Sequence, residues 1–237
     1  MHLSLAQVLF YIITNKNTNQ VFFENIFVKA VFVFYFTIRS LFFYYSKKIY
    51  SRYLNMKKAL LIIDYTNDFI ADNGTLSCKE PGQAIEEPIL KLADTYLANG
   101  DYVILPTDTH QLNDKYHPES KLFPPHNIEK TWGHQLYGKL AKWYQNNQAN
   151  ELVWQYSKDR YSSFQNTGLD NFLRTHKIDT LCLTGVCTDI CVLHTAVDAY
   201  DLNYALEIPK NAVASFDQIG HDWALRHFES SLGAKVY

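Results

Sequence analysis

The chain reads as an α/β protein, a three-layer α/β/α arrangement around a parallel, doubly wound sheet of about six strands. Three observations predict it. Short, continuous apolar runs rich in β-branched residues recur along residues 56–237, as strands buried on both faces do. Amphipathic helical patterns alternate with them, the signature of βαβ units. The most reactive side chains fall just after the runs, where open parallel sheets build their sites.

The elements follow in order. Ala59–Ile63 is the first strand, and Asp64 follows it. Ile85–Asn99 carries apolar residues at Ile85, Ile89, Leu92, Ala93 and Leu97, then Gly100 as a helix stop. Tyr102–Leu105 is the second strand, expected to stop at Pro106. Helix Trp132–Gln145 leads to a third strand, Glu151–Tyr156, followed by Lys158. Helix Leu169–Thr175 leads to Thr180–Thr184, expected to stop at Gly185 and followed by Cys187 and Cys191. Helix Asp189–Tyr200, strand Tyr204–Ile208, helix Gln218–Ser231 and a last strand, Ala234–Tyr237, close the chain.

Composition excludes several classes. Of 237 residues, 47% are hydrophobic and 19% charged, enough for a sizeable core and against disorder. A net charge of -2 gives no footprint for nucleic acid. Four Cys are too few for a disulfide scaffold. Free thiols of this kind favour the cytoplasm. The sequence leaves a homo-oligomer open.

The average hides a break near Asn55/Met56. Residues 1–55 contain no Gly, Pro, Asp or Trp, hold nine Phe and six Tyr, and carry a net +5. Residues 56–237 carry -7. The stretch Ile26–Ser46 suggests a membrane anchor, but Lys29 and Arg39 interrupt it, and a spanning helix wants roughly 20 apolar residues. The segment's bias matches translated A/T-rich non-coding sequence, and Met56-Lys57-Lys58 before a strand reads as a natural start. The expectation is therefore an N-terminal extension, 1–55, that is a mis-assigned start or else an anchor, and a separate globular domain, 56–237. A membrane partner enters only if residues 1–55 are expressed.

The chemistry starts at Cys191. A Cys on the opening turn of a helix meets unpaired N–H groups and the positive end of the dipole, which favour the thiolate. Thr188 is the expected N-cap. Taken alone, Cys187 and Cys191 are as well read as small core residues. Asp64 and Lys158 change that, because a nucleophile gains a proton shuttle and a charge stabiliser. A second cluster, Asp108, His110, Glu119 and His126, supplies two imidazoles and two carboxylates. Such a set suits Zn²⁺ first, with Mn²⁺ or Fe²⁺ as alternatives. His117 competes with Glu119 as third ligand. His134, His176, His194, His221 and His227 show no partners, and Trp132, Trp143, Trp154 and Trp223 read as packing.

Five segments carry a resemblance: Leu61–Phe69, Thr107–His110, His117–His126, Tyr156–Phe164 and Gly185–Val192. With them, residues 56–237 resemble the isochorismatase-like cysteine hydrolases, and within these most closely the bacterial nicotinamidases. The resemblance implies Cys191 as nucleophile, Asp64 as acid/base and Lys158 as third catalytic residue. It implies Asp108, His110, Glu119 and His126 as metal ligands. It implies a cis Val186–Cys187 peptide that aims the amides of Cys187 and Cys191 at an oxyanion, and Phe69, Phe123 and Tyr161 around the substrate ring. Many members have His where Glu119 stands. The activity implied is hydrolysis of nicotinamide, and also pyrazinamide, in NAD salvage. The alternative is a sibling amidase acting on another small amide or ureido compound.

Overall fold

A computed structural model describes residues 31, 33–35, 37–44 and 56–237. The chain divides into two compact units, Met1–Asn55 and Met56–Tyr237. The described residues of the first are helical, and Phe34, Phe42 and Phe43 are exposed. Among the described residues no helix is long and apolar enough to cross a membrane. The start-site expectation and much of the expected anchor, Ile26–Ser46, lie outside the described residues.

In the second unit, β1 (Lys57–Ile63), β2 (Tyr102–Asp108), β3 (Val153–Lys158), β4 (Ile178–Val186), β5 (Ala205–Ile208), β6 (Val213–Ala214) and β7 (Lys235–Val236) form one sheet. Its order is β3-β2-β1-β4-β5-β7, with β6 on β4, and every pairing is parallel. The helices are α1 (Asn67–Ile70), α2 (Lys79–Ala84), α3 (Glu86–Ala98), α4 (Gly138–Asn147), α5 (Leu169–Thr175), α6 (Leu193–Asp201) and α7 (Gln218–Ser230). Side chains of β1 alternate between two cores. Leu60 and Ile62 pack with Ile89, Ala93 and Leu140 of α3 and α4. Ala59, Leu61 and Ile63 pack with Leu173, Ala196 and Phe228 of α5, α6 and α7. Fully burying one such Leu, Ile or Phe contributes about 1.5–3 kcal/mol, so the layers hold each other.

The strand order reverses at β1. Its crossovers lead first to β2 and β3 on one side, then to β4 on the other. The carboxyl ends of β1 and β4 therefore open a crevice at the switch point.

Several boundaries differ from the sequence reading, each for a local reason. Pro106 does not stop β2, which runs on to Asp108. Its carbonyl accepts from Asp64 N–H on the β1 side. A residue's N–H and C=O point to the same side of a strand, so the missing donor falls beyond Ile104, the last β2 residue paired with β1. The β3 ladder continues undisturbed to Lys158. Gly185 does not stop β4 either. It sits inside the strand at φ +101°, and a Cβ there would lie 2.1 Å from the Ile63 carbonyl oxygen. The third strand lies two residues later than its apolar run, and α4 starts at Gly138 rather than Trp132. Gly100 ends the helix before β2 as expected, at φ +73°. The two-residue β6 is too short to leave a pattern.

Candidate active site

The strand ends deliver the reactive side chains to one place. Asp64 leaves β1 with φ +54°, and its side chain is fully buried. Its Oδ1 accepts from Asp108 N–H at 2.8 Å, and its Oδ2 lies 2.8 Å from Lys158 Nζ. Lys158, the last residue of β3, also donates to Arg160 O at 2.9 Å. Burial pushes the Asp64 carboxyl up and the Lys158 ammonium pulls it back, leaving it at about 6. Burial alone would lower Lys158, but the Asp64, Cys191 and Asp108 charges outweigh it and hold the ammonium above its usual range.

Cys191 lies in a π-turn, Thr188–Val192, that runs into α6. The thiol is buried and meets the Asp64 carboxylate. Here the expected thiolate is corrected. Burial, with Asp64 and Asp108 adding to it, holds the Cys191 thiol well above its usual range despite Lys158. The sulfur stands beside the Asp64 carboxylate, a base placed to take its proton. Thr188 is not the N-cap. Cys187 holds that position, and the Thr188 hydroxyl pairs with His221 Nδ1 at 2.8 Å. The Val186–Cys187 peptide is cis. Cys187 Sγ lies 3.5 Å from Cys78 Sγ, and that contact together with burial raises the Cys187 thiol.

The second cluster assembles beside the first. Asp108 Oδ2 lies 2.8 Å from His110 Nε2 and 3.5 Å from His126 Nε2. His126 Nε2 is 3.6 Å from Glu119 Oε2. Donor atoms of Asp108, His110 and His126 lie within 4.8 Å of one another, as do those of His110, His117 and Glu119. His126 Nδ1 faces Pro124 O at 2.9 Å, while its Nε2 is buried without a hydrogen bond. Burial would lower this imidazole, but the Asp108 and Glu119 carboxylates outweigh it and push it up to about 10. The site thus calls for positive charge at His126 Nε2. A ring anchored by one N–H to a carbonyl and offering the other nitrogen to converging carboxylates suits a divalent cation. His117 is differently engaged. Its Nε2 lies 2.6 Å from Asp159 O and its Nδ1 accepts from Glu119 N–H at 3.3 Å.

A small cavity joins the clusters. Phe69, Phe123, Tyr161, Asp108, Glu119, His126, Cys187 and Cys191 line it, with Leu76, Ile190 and Phe216. Sequence reasoning missed the last three. Ile190 adjoins Cys191 and could have been found, whereas Phe216 follows the unread β6. The histidines expected to lack partners all have them: His134 Nε2 meets Thr109 Oγ1 at 2.8 Å, His176 Nδ1 meets Phe172 O at 2.8 Å, His194 Nδ1 meets Ile190 O at 2.7 Å, His221 pairs with Thr188, and His227 stacks on Trp223. Among the tryptophans, Trp143 is buried, Trp154 stacks on Tyr156 and Phe172, and the half-exposed Trp223 stacks on His227, while Trp132 is also about half exposed.

Comparison with known proteins decides the family. Residues 58–237 match the isochorismatase domain. The chain belongs to the isochorismatase family. It is 55% identical, over 76% of its length and 99% of the relative, to an uncharacterized isochorismatase family protein, PncA, of Bacillus subtilis (strain 168). It is 30% identical to the nicotinamidase of Escherichia coli (strain K12), over 76% of this chain and 94% of that one. The crystal structure of the nicotinamidase/pyrazinamidase PncA from Bacillus subtilis superposes with a TM-score of 0.75 at 52% identity, covering 76% of this chain and 99% of that one. This family member is an amide hydrolase, of the type to which the nicotinamidases belong.

Proposed function

We propose that this amide hydrolase converts nicotinamide to nicotinate and ammonia, with pyrazinamide as a second substrate. One observation carries the reading: a single small cavity brings the Cys191 thiol together with Phe69, Phe123 and Tyr161 and with Asp108, Glu119 and His126. A flat aromatic carboxamide with a ring nitrogen matches that lining. Relatives bearing the nicotinamidase name support it.

At neutral pH Asp64, with its pKa of about 6, is mostly carboxylate. It takes the Cys191 proton as the sulfur attacks the carboxamide carbon. The N–H groups of Cys187 and Cys191 face the developing oxyanion, a contribution of roughly 3–4 kcal/mol per donor in comparable sites. Asp64 returns its proton to the leaving ammonia. It then takes a proton from the water that hydrolyses the thioester and passes it to the Cys191 sulfur as the carbon–sulfur bond breaks, restoring the thiol and the carboxylate. Lys158 stabilises both anionic states. Asp108, His110, Glu119 and His126 would hold Zn²⁺, or else Mn²⁺ or Fe²⁺. His117 is set aside because both its nitrogens are engaged. When bound, the ion would supply a Lewis-acid anchor for the ring nitrogen. Phe69 and Phe123 flank the ring and exclude water. Nicotinate release fits NAD salvage in the cytoplasm.

The test is ammonia release from nicotinamide, with and without chelator, alongside a panel of small amides and ureido compounds. Release that disappears with chelator and in Cys191→Ala supports the reading. A strong preference for a non-pyridine amide would replace the substrate and keep the triad.

A further inference from the structure

We propose that Asn127 is a positioning residue for the metal centre, its side-chain amide setting the Asp108 carboxylate for the ion. The inference rests on reading Asp108 and His126 as ligands. Asn127 directly follows His126 and is fully buried. Its φ of +44° lies in the left-handed region, which Asn adopts more readily than most residues.

Four polar groups of Asn127 are engaged. Its Nδ2 donates to Asp108 Oδ2 at 3.3 Å. Its Oδ1 accepts from Thr66 Oγ1 at 2.8 Å. Its N–H donates to Asp68 Oδ2 at 2.7 Å, and its carbonyl accepts from His110 N–H at 3.0 Å. One residue thus contacts two of the ligand residues and is covalently joined to a third. Thr66 and Asp68, on the segment after β1, anchor it in turn.

The sense of the amide is set by the site. A flipped amide would place Oδ1 against the Asp108 carboxylate, two acceptors in contact. A hydroxyl can serve either sense, so Asp108 decides and Thr66 completes the pair. The donated bond falls on Asp108 Oδ2, the same oxygen that faces His110 and His126. Asp108 Oδ1 lies on the other side, 3.9 Å from Lys158 Nζ. The carboxylate is therefore held from both ends, and a ligand fixed this way pays less ordering entropy when it binds a cation. An apolar side chain of similar size would fill the space but leave Thr66 without its acceptor and Asp108 without its donor.

The test is the affinity for Zn²⁺ alone, by competition with a chromophoric chelator, in the full chain and in Asn127→Gly. Glycine accepts the positive φ and keeps both backbone bonds. The expected result is binding weakened about 10- to 100-fold, with circular dichroism showing the chelator-treated variant folded. Unchanged affinity would overturn the proposal, since a residue of merely structural importance would lower the melting temperature and leave Zn²⁺ binding alone. If Asn127→Gly does not fold, Thr66→Val decides, because it removes only the hydroxyl on Oδ1. A few-fold loss is expected, and unchanged affinity overturns the role. His126→Ala separates the two levels. If it binds Zn²⁺ as tightly as the native chain, the metal reading falls and this one with it. If it loses Zn²⁺ while Asn127→Gly does not, only the role of Asn127 falls.

Discussion

Lys158 Nζ sits 2.8 Å from Asp64 Oδ2, with both side chains fully buried. The residues stand 94 positions apart, at the ends of two strands separated in the sheet by β2. Removing water from both charges is costly, and their attraction offsets that cost only while both are present. Lys158→Met should therefore destabilise the domain by about 3–5 kcal/mol, the usual consequence of breaking a buried pair from one side. Urea unfolding of residues 56–237 measures it. A loss below about 1 kcal/mol would mean that Asp64 simply takes up a proton and needs no partner.

The same pair sets a pH dependence. Burial, countered by Lys158, leaves Asp64 at about 6, above its usual value. Below that pH Asp64 carries a proton and cannot accept the one on Cys191. kcat/KM for nicotinamide should fall on the acid side of about pH 6, approaching tenfold per pH unit. A profile flat down to pH 4.5 would remove Asp64 as the general base.

How legible was this site? The strand ends were read correctly as its location, because the apolar runs mark the sheet and Asp64, Lys158 and Cys191 follow them closely. The long-range meeting of Asp108, His110, Glu119 and His126 could be anticipated as chemistry, but not as geometry. Helix position, which favours the Cys191 thiolate, is local and visible in sequence, whereas the burial that raises the thiol is not. Asn127 gave no signal. Its importance lies in contacts with Thr66 and Asp68, some 60 residues away. Neither Pro106 nor Gly185 ends its strand: the donor that Pro106 lacks falls beyond the β1 pairing, and Gly185 takes a positive φ inside β4 where only a bare Cα fits against Ile63.

Cys187 and Cys191 should part company on substitution. Cys191→Ala should abolish turnover while leaving metal binding and fold intact. Cys187→Ser should keep substantial activity, because only its backbone N–H is used in the proposed reaction. Steady-state ammonia release on both variants decides, and the reverse pattern would transfer the nucleophile to Cys187.

Gly185→Ala should fail structurally. The added Cβ would lie 2.1 Å from Ile63 O and 2.7 Å from Ile63 N, both backbone atoms of the central strand. A φ of +101° adds strain for any L side chain. Overlap and strain together should cost about 3 kcal/mol or more. Thermal unfolding of the purified variant is the check, and a native melting temperature would show that β1 and β4 can separate at little cost.

His126→Ala addresses the cation directly. The native Nε2 is buried without a hydrogen bond, and Asp108 and Glu119 draw positive charge to it. Without the ring, the two carboxylates lose the group they share, so Zn²⁺ should bind far more weakly. The melting temperature should also lose its response to added Zn²⁺, because a ligand stabilises only the state that binds it. If the ion anchors the ring nitrogen, KM for nicotinamide should rise more than it does in Cys191 variants with residual turnover. A variant with lower kcat, native KM and native Zn²⁺ response would place the ion elsewhere and leave His126 a packing residue against Phe69, whose ring centroid lies 5.5 Å away.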